Sequence, residues 1–388
     1  MSIASEITRL QTAKADIKTA IEAKGVTVPS NATLDTYDDY VAQISGGGGG
    51  DKLVSVIGRS VTGLTSSDLS GATSIGNYAL CDSRNLVSVQ MPSSVTTIGD
   101  YAFCGCTNMV SVQIPSSVIT IGAYAFQRCK KVEDITVSSS TINFGNYCFN
   151  ELGTETISGT NVTIKPKISS TVSSMFRSAK LRNLVFEGGL DYTGSYMLYK
   201  TSADTLTICG GALSGGSSSS SNFLNTAVGS NKTDCKLTEI IITSGQTQIG
   251  KYCFYSGLSI TSINMSAATD TTSIGQNAFQ NCVAMTTCIL PPNVTTIDTS
   301  AFQNCRSLTA VTVPSSVTSV GATCFSGSSA LTYVRFTSTT PPTLGGSGVF
   351  AGTNSCPIYV PSGSVDAYKT ASVWSGWADR IQAWTGGD

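Results

Sequence analysis

Thirteen cysteines are the residues with the most chemistry to offer, and no histidine accompanies them. A thiolate can attack an electrophile, ligate zinc or pair as a disulfide. A nucleophilic thiol usually needs an adjacent base, most often histidine. Its absence removes Ser–His and Cys–His pairs and the commonest metal ligand. Cys104-Gly105-Cys106 has close spacing but no second pair to complete a zinc site. Asp38-Asp39 and Glu133-Asp134 are acidic neighbours without partners and read as solvated side chains. Asp, Glu or Lys chemistry stays open, yet no catalytic constellation stands out. The expectation is no enzyme, no metal and no cofactor.

The cysteine positions point to structure instead. Cys106, Cys129, Cys282 and Cys305 each follow a phenylalanine by three residues. Cys148, Cys253 and Cys324 stand immediately before one, where Ala79, Ala102, Ala125, Ala278 and Ala301 stand elsewhere. Ala79 alone precedes a leucine in that place. A slot that takes Cys or Ala is small and buried. The thiols should therefore be unpaired, which suits folding in a reducing compartment.

What must position these residues is a repeat. Leu86 to Lys131 holds one sentence twice: Ile98, Tyr101, Phe103 and Cys106 recur as Ile121, Tyr124, Phe126 and Cys129. The period lies in the leucine-rich-repeat range of roughly 20–29 residues. Segments such as LVSVQMP and LTAVTVP read as L-x-x-V-x-V strands ended by proline. A second extended piece ends at Ile-Gly, and Asp100 to Cys106 should be a short helical or 3₁₀ turn carrying Phe103 inward. The fold class is a β-rich leucine-rich-repeat solenoid over residues 51–360, of about twelve turns of ~23 residues. Residues 151–236 read as degenerate repeats, with Met175-Phe176, Met197-Leu198 and Phe223-Leu224 inward and Gly215 to Ser221 as a loop insertion. An open solenoid end needs a cap, assigned to residues 361–388. A helix should start near Ser364, with Val365, Tyr368, Trp374, Trp377, Ile381 and Trp384 available for burial. A sugar-stacking tryptophan platform is the alternative.

Residues 1–45 differ. Ile3, Ile7, Leu10, Lys14, Ile17 and Ile21 follow a 4-3-4-3-4 spacing, the seam of a short amphipathic helix. A helical hairpin is one reading. Self-association is the other, since isoleucine at both seam positions favours trimers or higher. Gly46 to Gly50 form a flexible linker between this module and the array.

Net charge is −1 and only 12% of residues are charged, so no electrostatic footprint for nucleic acid is present. No segment reads as a secretory signal or a membrane helix. Solenoids often bind through the concave sheet. The strand positions between its buried residues include Gln90, Gln113, Thr136, Tyr333 and Arg335, which are candidate receptor-binding residues. Tyr192, Tyr196 and Tyr199 in the irregular middle are further candidates, because such loops often carry function. Plain solvated strand residues remain the alternative for each.

The pattern A-F-x-x-C-x-x-L-x-x-V-x-I-P-x-S-V-x-x-I-G resembles the BspA-like leucine-rich repeats of bacterial surface proteins, most closely in Leu86–Lys131 and Phe279–Phe325. The ending IYVPSGSVDAYK is similar to the terminus of such arrays. That resemblance implies an adhesin or binding scaffold. The segment from Leu10 to Ile44 resembles the N-terminal module of bacteriophage tail and receptor-binding proteins, usually followed by a glycine linker. Taken together these imply a virion tail fibre, folded in the host cytoplasm. It would attach to tail or baseplate proteins through residues 1–45 and recognise a host surface protein or glycan. Such a protein would be a homo-oligomer, with a trimer favoured. A bacterial cell-surface adhesin or interaction scaffold is the alternative.

Overall fold

The computed structural model describes residues 18, 19, 22, 62–168, 172–190, 197–213 and 235–386. Ile3, Ile7, Leu10, Ile17, Ile21, the glycine linker, Tyr192, Tyr196 and Phe223-Leu224 lie outside the described residues. Within the N-terminal segment Lys18, Thr19 and Glu22 are helical, with Lys18 Nζ 3.7 Å from Glu22 Oε1.

The array is a parallel β-solenoid. Ten strands, from Gly63–Leu64 to Thr287–Ile289, form one parallel sheet, the main sheet. Ala310–Val313, Tyr333–Phe336, Ile358–Val360 and Ile381–Ala383 continue the series as a four-stranded sheet. One strand per coil up to Ile358–Val360 gives ten plus three, thirteen turns among the described residues. This agrees with the sequence reading of about twelve turns, and the degenerate coils join the same series. In Thr160–Ile164, for instance, buried Thr160 sits where other coils carry leucine, and its hydroxyl donates to the Val132 carbonyl.

Neighbouring coils pair in register: Val89 on Val112, Leu184 on Leu206, Ile240 on Ile263. A second, narrower face is built from two-residue strands such as Thr97–Ile98 and Thr120–Ile121, whose isoleucines are fully buried. Between the faces the repeat phenylalanines stack. Phe103, Phe126, Phe149 and Phe176 have centroids 5.1, 5.7 and 5.4 Å apart, and Phe254 to Phe350 continue the pattern at 5.3–6.0 Å. Met175, Met197 and Leu198 are buried as the sequence predicts.

The third face corrects the expectation of helical turns. Nine of the described turns carry two left-handed residues four apart, for example Tyr101 (φ 56°) and Gly105 (φ 74°), then Tyr124 (φ 56°) and Arg128 (φ 59°). Left-handed residues break a right-handed helix at a cost of about 1–2 kcal/mol each. Alternate turn amides bond to the next coil, while those between them, such as Ala79 and Cys81, close i→i−3 bonds within the turn. Tyr78 N–H donates to Asp100 O, Leu80 N–H to Ala102 O and Asp82 N–H to Cys104 O, at 2.9, 2.8 and 2.6 Å.

All thirteen cysteines are free. The slot three residues past phenylalanine is more than small. Cys106, Cys129, Cys282 and Cys305 donate their S–H to the carbonyls of Leu80, Phe103, Phe254 and Phe279, one coil back, at 3.1–3.3 Å. Ser328 and Thr201 do the same with hydroxyls, to Phe302 and Phe176. The slot therefore selects a small donor.

The cap forms a helix over Val365–Thr370, as read from the sequence, then a 3₁₀ segment Trp374–Arg380. Tyr368 and Trp374 are buried, donating to Ser338 O (2.9 Å) and Pro342 O (2.7 Å). Arg380 reaches back to the Cys356 and Phe350 carbonyls and to Thr353 Oγ1. The strand Ile381–Ala383 that follows is absent from the sequence reading, because the change of period hides it.

Replacing Cys129 with serine should cost under about 1 kcal/mol. Cys129→Val should cost about 1–3 kcal/mol, since the Phe103 carbonyl loses its donor; denaturant unfolding measures both. Burial pushes the Cys106 and Cys282 thiols up from the ordinary 9.0 to about 12. The fold favours their neutral form, so this stability is full below pH 9 and falls as pH rises towards 12. The unfolding midpoint should drop across that window, and by less when both are serine.

Candidate functional site

Strand alternation sets every second main-sheet residue outward, so the outer face is two side-chain columns. One runs Gln90, Gln113, then Thr136, Thr163, Val185, Thr207, Ile241 and Asn264. Gln90, Gln113 and Thr136 are exposed there, as predicted. The other column contains a side-chain hydrogen-bond chain. Asn183 Nδ2 donates to Asn161 Oδ1 (2.9 Å), and Asn161 Nδ2 to Asp134 Oδ1 (2.8 Å). On the neighbouring strands Thr205 donates to Glu239 Oε2 at 3.1 Å. Asp134 and Glu239 thus act as acceptors that order a polar row.

At the C-terminal end the face turns aromatic. Tyr333 and Arg335 sit outward on one strand, and Tyr359 pairs beside Arg335 on the next. The closing strand aligns Gln382 with Tyr359, and Trp384 N–H donates to Val360 O. Trp384 is therefore in the outward phase. Its ring lies 5.7 Å from Tyr333 and 5.2 Å from Tyr359, with the Arg335 guanidinium 4.5 Å above it. Gly386 crosses the ring edge, where a Cβ would come within 2.8 Å of Cζ2. The Trp384 Nε1 donor is buried without a hydrogen-bond partner. Tyrosine and tryptophan offer large contact area at low entropic cost, and arginine suits carboxylate or stacked groups.

The structure gathers Tyr333 and Arg335 with two residues that sequence reasoning did not place. Tyr359 was legible from the alternation of Ile-Tyr-Val. Trp384 was grouped with the cap tryptophans, yet only Trp374 is fully buried and Trp377 packs partly against the core. Gln90, Gln113 and Thr136 lie many coils away on the same face. Tyr199 belongs to a different surface. It sits on the turn face, where Arg177 bridges it to Tyr147 at 5.3 and 5.9 Å. Tyr78, Tyr101, Tyr124 and Tyr147 stack there at 4.8–4.9 Å with rings within 11° of parallel. Their faces cover one another and hydroxyl edges remain. Burial among the stacked rings pushes the Tyr101 phenol up, with the neighbouring Tyr124 and Tyr78 adding to it.

Among the described residues no three His, Cys, Asp or Glu side chains are grouped to hold a metal, and no helix is long and apolar enough to cross a membrane. The surfaces offer contact area and hydrogen bonding.

Six copies of the BspA-type leucine-rich repeat region match residues 73–203, 154–223 and 232–356. A leucine-rich repeat protein from Bacteroides ovatus is 19% identical, covering 69% of this chain and 82% of its own, with a TM-score of 0.29. One from Eubacterium ventriosum is 21% identical over 66% and 81%, with a TM-score of 0.33. A leucine-rich cell surface protein from Faecalibacterium prausnitzii is 20% identical over 81% and 87%, with a TM-score of 0.31. No curated protein matches.

The two tryptophan environments should separate on mutation. Trp374→Ala should cost about 3–5 kcal/mol by emptying the cap core. Trp384→Ala should cost less than half as much, as read by chemical denaturation.

Proposed function

The chain belongs to the BspA-type leucine-rich repeat family, and from that premise we propose that it is a non-catalytic recognition scaffold for a ligand displayed on a cell surface. The observation that carries this is the outward cluster of Tyr333, Arg335, Tyr359 and Trp384 on the four-stranded sheet that continues the series. A family of interaction solenoids supplies the frame, and this cluster has the composition of a binding hot spot. Its aromatic faces suit a sugar ring or an apolar side chain, and Arg335 suits an acidic group beside it. Gln90, Gln113 and Thr136 would supply polar contacts at the far end of a long ligand.

The finer reading is a bacteriophage tail fibre that binds its host through this face. It is supported by the resemblance of the segment from Leu10 to Ile44, by the glycine linker and by thirteen free thiols. Attachment to tail or baseplate proteins, and trimerisation, would then fall to Ile3, Ile7, Leu10, Ile17 and Ile21. A bacterial cell-surface adhesin shares the recognition role and differs in what residues 1–45 hold. Detection of the chain by mass spectrometry in purified virions, against washed cell envelopes, separates the two.

Full-length protein should bind bacterial cells or an arrayed bacterial glycan saturably. Tyr359→Ala with Arg335→Ala should weaken binding at least about tenfold, the scale of a hot-spot loss above 1 kcal/mol. Tyr124→Ala on the turn face should leave it unchanged. Equal binding by the double variant would refute the site. Ile7→Asp with Ile17→Asp should lower the mass measured by light scattering while leaving the array folded.

A further inference from the structure

Cys81 and Cys104 occupy the same slot in successive coils, one residue past Leu80 and Phe103. Backbone bonds lock the register on both sides of the pair: Leu80 N–H to Ala102 O at 2.8 Å and Asp82 N–H to Cys104 O at 2.6 Å. Three residues earlier, the stacked Tyr78 and Tyr101 rings give the local coil spacing as 4.8 Å. That spacing lies within the 4.4–6.8 Å range of Cα separations that disulfides span. Both thiols are partly exposed.

Two other cysteine pairs stack in the same way, Cys106 with Cys129 and Cys282 with Cys305. Those four are fully buried, and each donates its S–H to a carbonyl one coil back. Oxidising them would strand buried acceptors, a cost of about 1–3 kcal/mol each. Cys104 instead donates at 3.5 Å to the Gln127 side chain, in a part-buried site at the surface. That contact is long, and water can replace it. Cys209 and Cys235 are also partly exposed, but Cys209 follows Ile208, which pairs with Ile242, and Cys235 precedes Lys236, which pairs with Ser202. Neither has a cysteine beside it in the next coil.

We propose that Cys81 and Cys104 are a redox modification site, closing to an inter-coil disulfide in the presence of an organic disulfide such as oxidised glutathione. The thiolate of one cysteine attacks a glutathione sulfur, breaking that S–S bond and releasing one glutathione thiolate. The second cysteine gives up its proton and attacks the mixed disulfide, forming the Sγ–Sγ bond and releasing the second glutathione. The protein pair loses two electrons, which reduce the glutathione disulfide, and the two thiol protons end on the two glutathione molecules. The bond ties together the first two complete turns of the described array and removes chain entropy from their unfolded state. It makes the array's N-terminal end responsive to the redox poise of its surroundings, whatever ligand the outward sheet face binds.

Full-length protein is incubated with oxidised glutathione, then alkylated and digested without reduction. The expected result is a mass loss of two hydrogens, two fewer alkylated thiols and a cross-linked peptide containing Cys81 and Cys104. Dithiothreitol should restore both thiols. Hydrogen exchange should slow across residues 78–104 of the oxidised form. Cys81→Ser and Cys104→Ser should each abolish the mass loss, leaving at most one glutathione adduct at the surviving thiol. The proposal is overturned if wild-type protein carries separate glutathione adducts on both thiols, or if the two-hydrogen loss persists in either variant.

Discussion

Everything in this molecule depends on each coil sitting in register on the one before it. At a coil spacing near 4.8 Å, a residue's most important neighbour is its own counterpart one turn away. Phenylalanine stacks on phenylalanine, tyrosine on tyrosine, and threonine hydroxyls such as those of Thr286, Thr309 and Thr332 donate to the carbonyl of the matching threonine one coil back. The constraint acts identically on every slot, so a slot's residue type is set by what it must do between two copies of itself. Glycine shows the limit. A Cβ on Gly122 would meet the Asp100 backbone nitrogen at 2.5 Å, and one on Gly145 would meet the Ala123 nitrogen at 2.2 Å. At these Ile-Gly steps the neighbouring backbone leaves no room for a Cβ, and only Asp298 carries a side chain at that place among the described coils.

This is why so much of the fold was legible. Period, strand positions, the phenylalanine column and the unpaired thiols all follow from repetition, and repetition is visible in the letters. The turn conformation was not. Tyr101 and Arg128 adopt left-handed backbone without being glycine, and nothing in their side chains announces it. The reason lies in the amides of the adjacent coil, which only three dimensions supply. The degenerate coils were harder for a similar reason. Thr160 fills a leucine slot because its hydroxyl finds a carbonyl, a compensation invisible to a hydrophobic pattern.

The candidate site was half legible. Tyr333 and Arg335 could be placed by strand alternation alone. Tyr359 belongs to the last regular strand and Trp384 directly follows the closing one, Ile381–Ala383, which appears where the period has already broken down. Trp374 and Trp384 are similar in sequence setting and opposite in role. The first is buried and donates to Pro342 O. The second stands outward just past a strand that the cap feeds back into the sheet. The distinction comes from the 3₁₀ segment Trp374–Arg380, anchored by Arg380 on the Cys356 carbonyl.

That closing strand has a consequence for how such a chain can change. Trp384 is supplied by the cap, while Tyr333, Arg335 and Tyr359 come from the last two coils. The four form a unit that rides on the terminus and not on any particular coil number. Gain or loss of one whole repeat upstream would leave the unit intact and shift it by a single coil spacing, about 4.8 Å. The array behaves as a ruler with a fixed head. Its reach can be tuned in discrete increments by duplication or deletion of ~23 residues, while the chemistry at its tip stays the same.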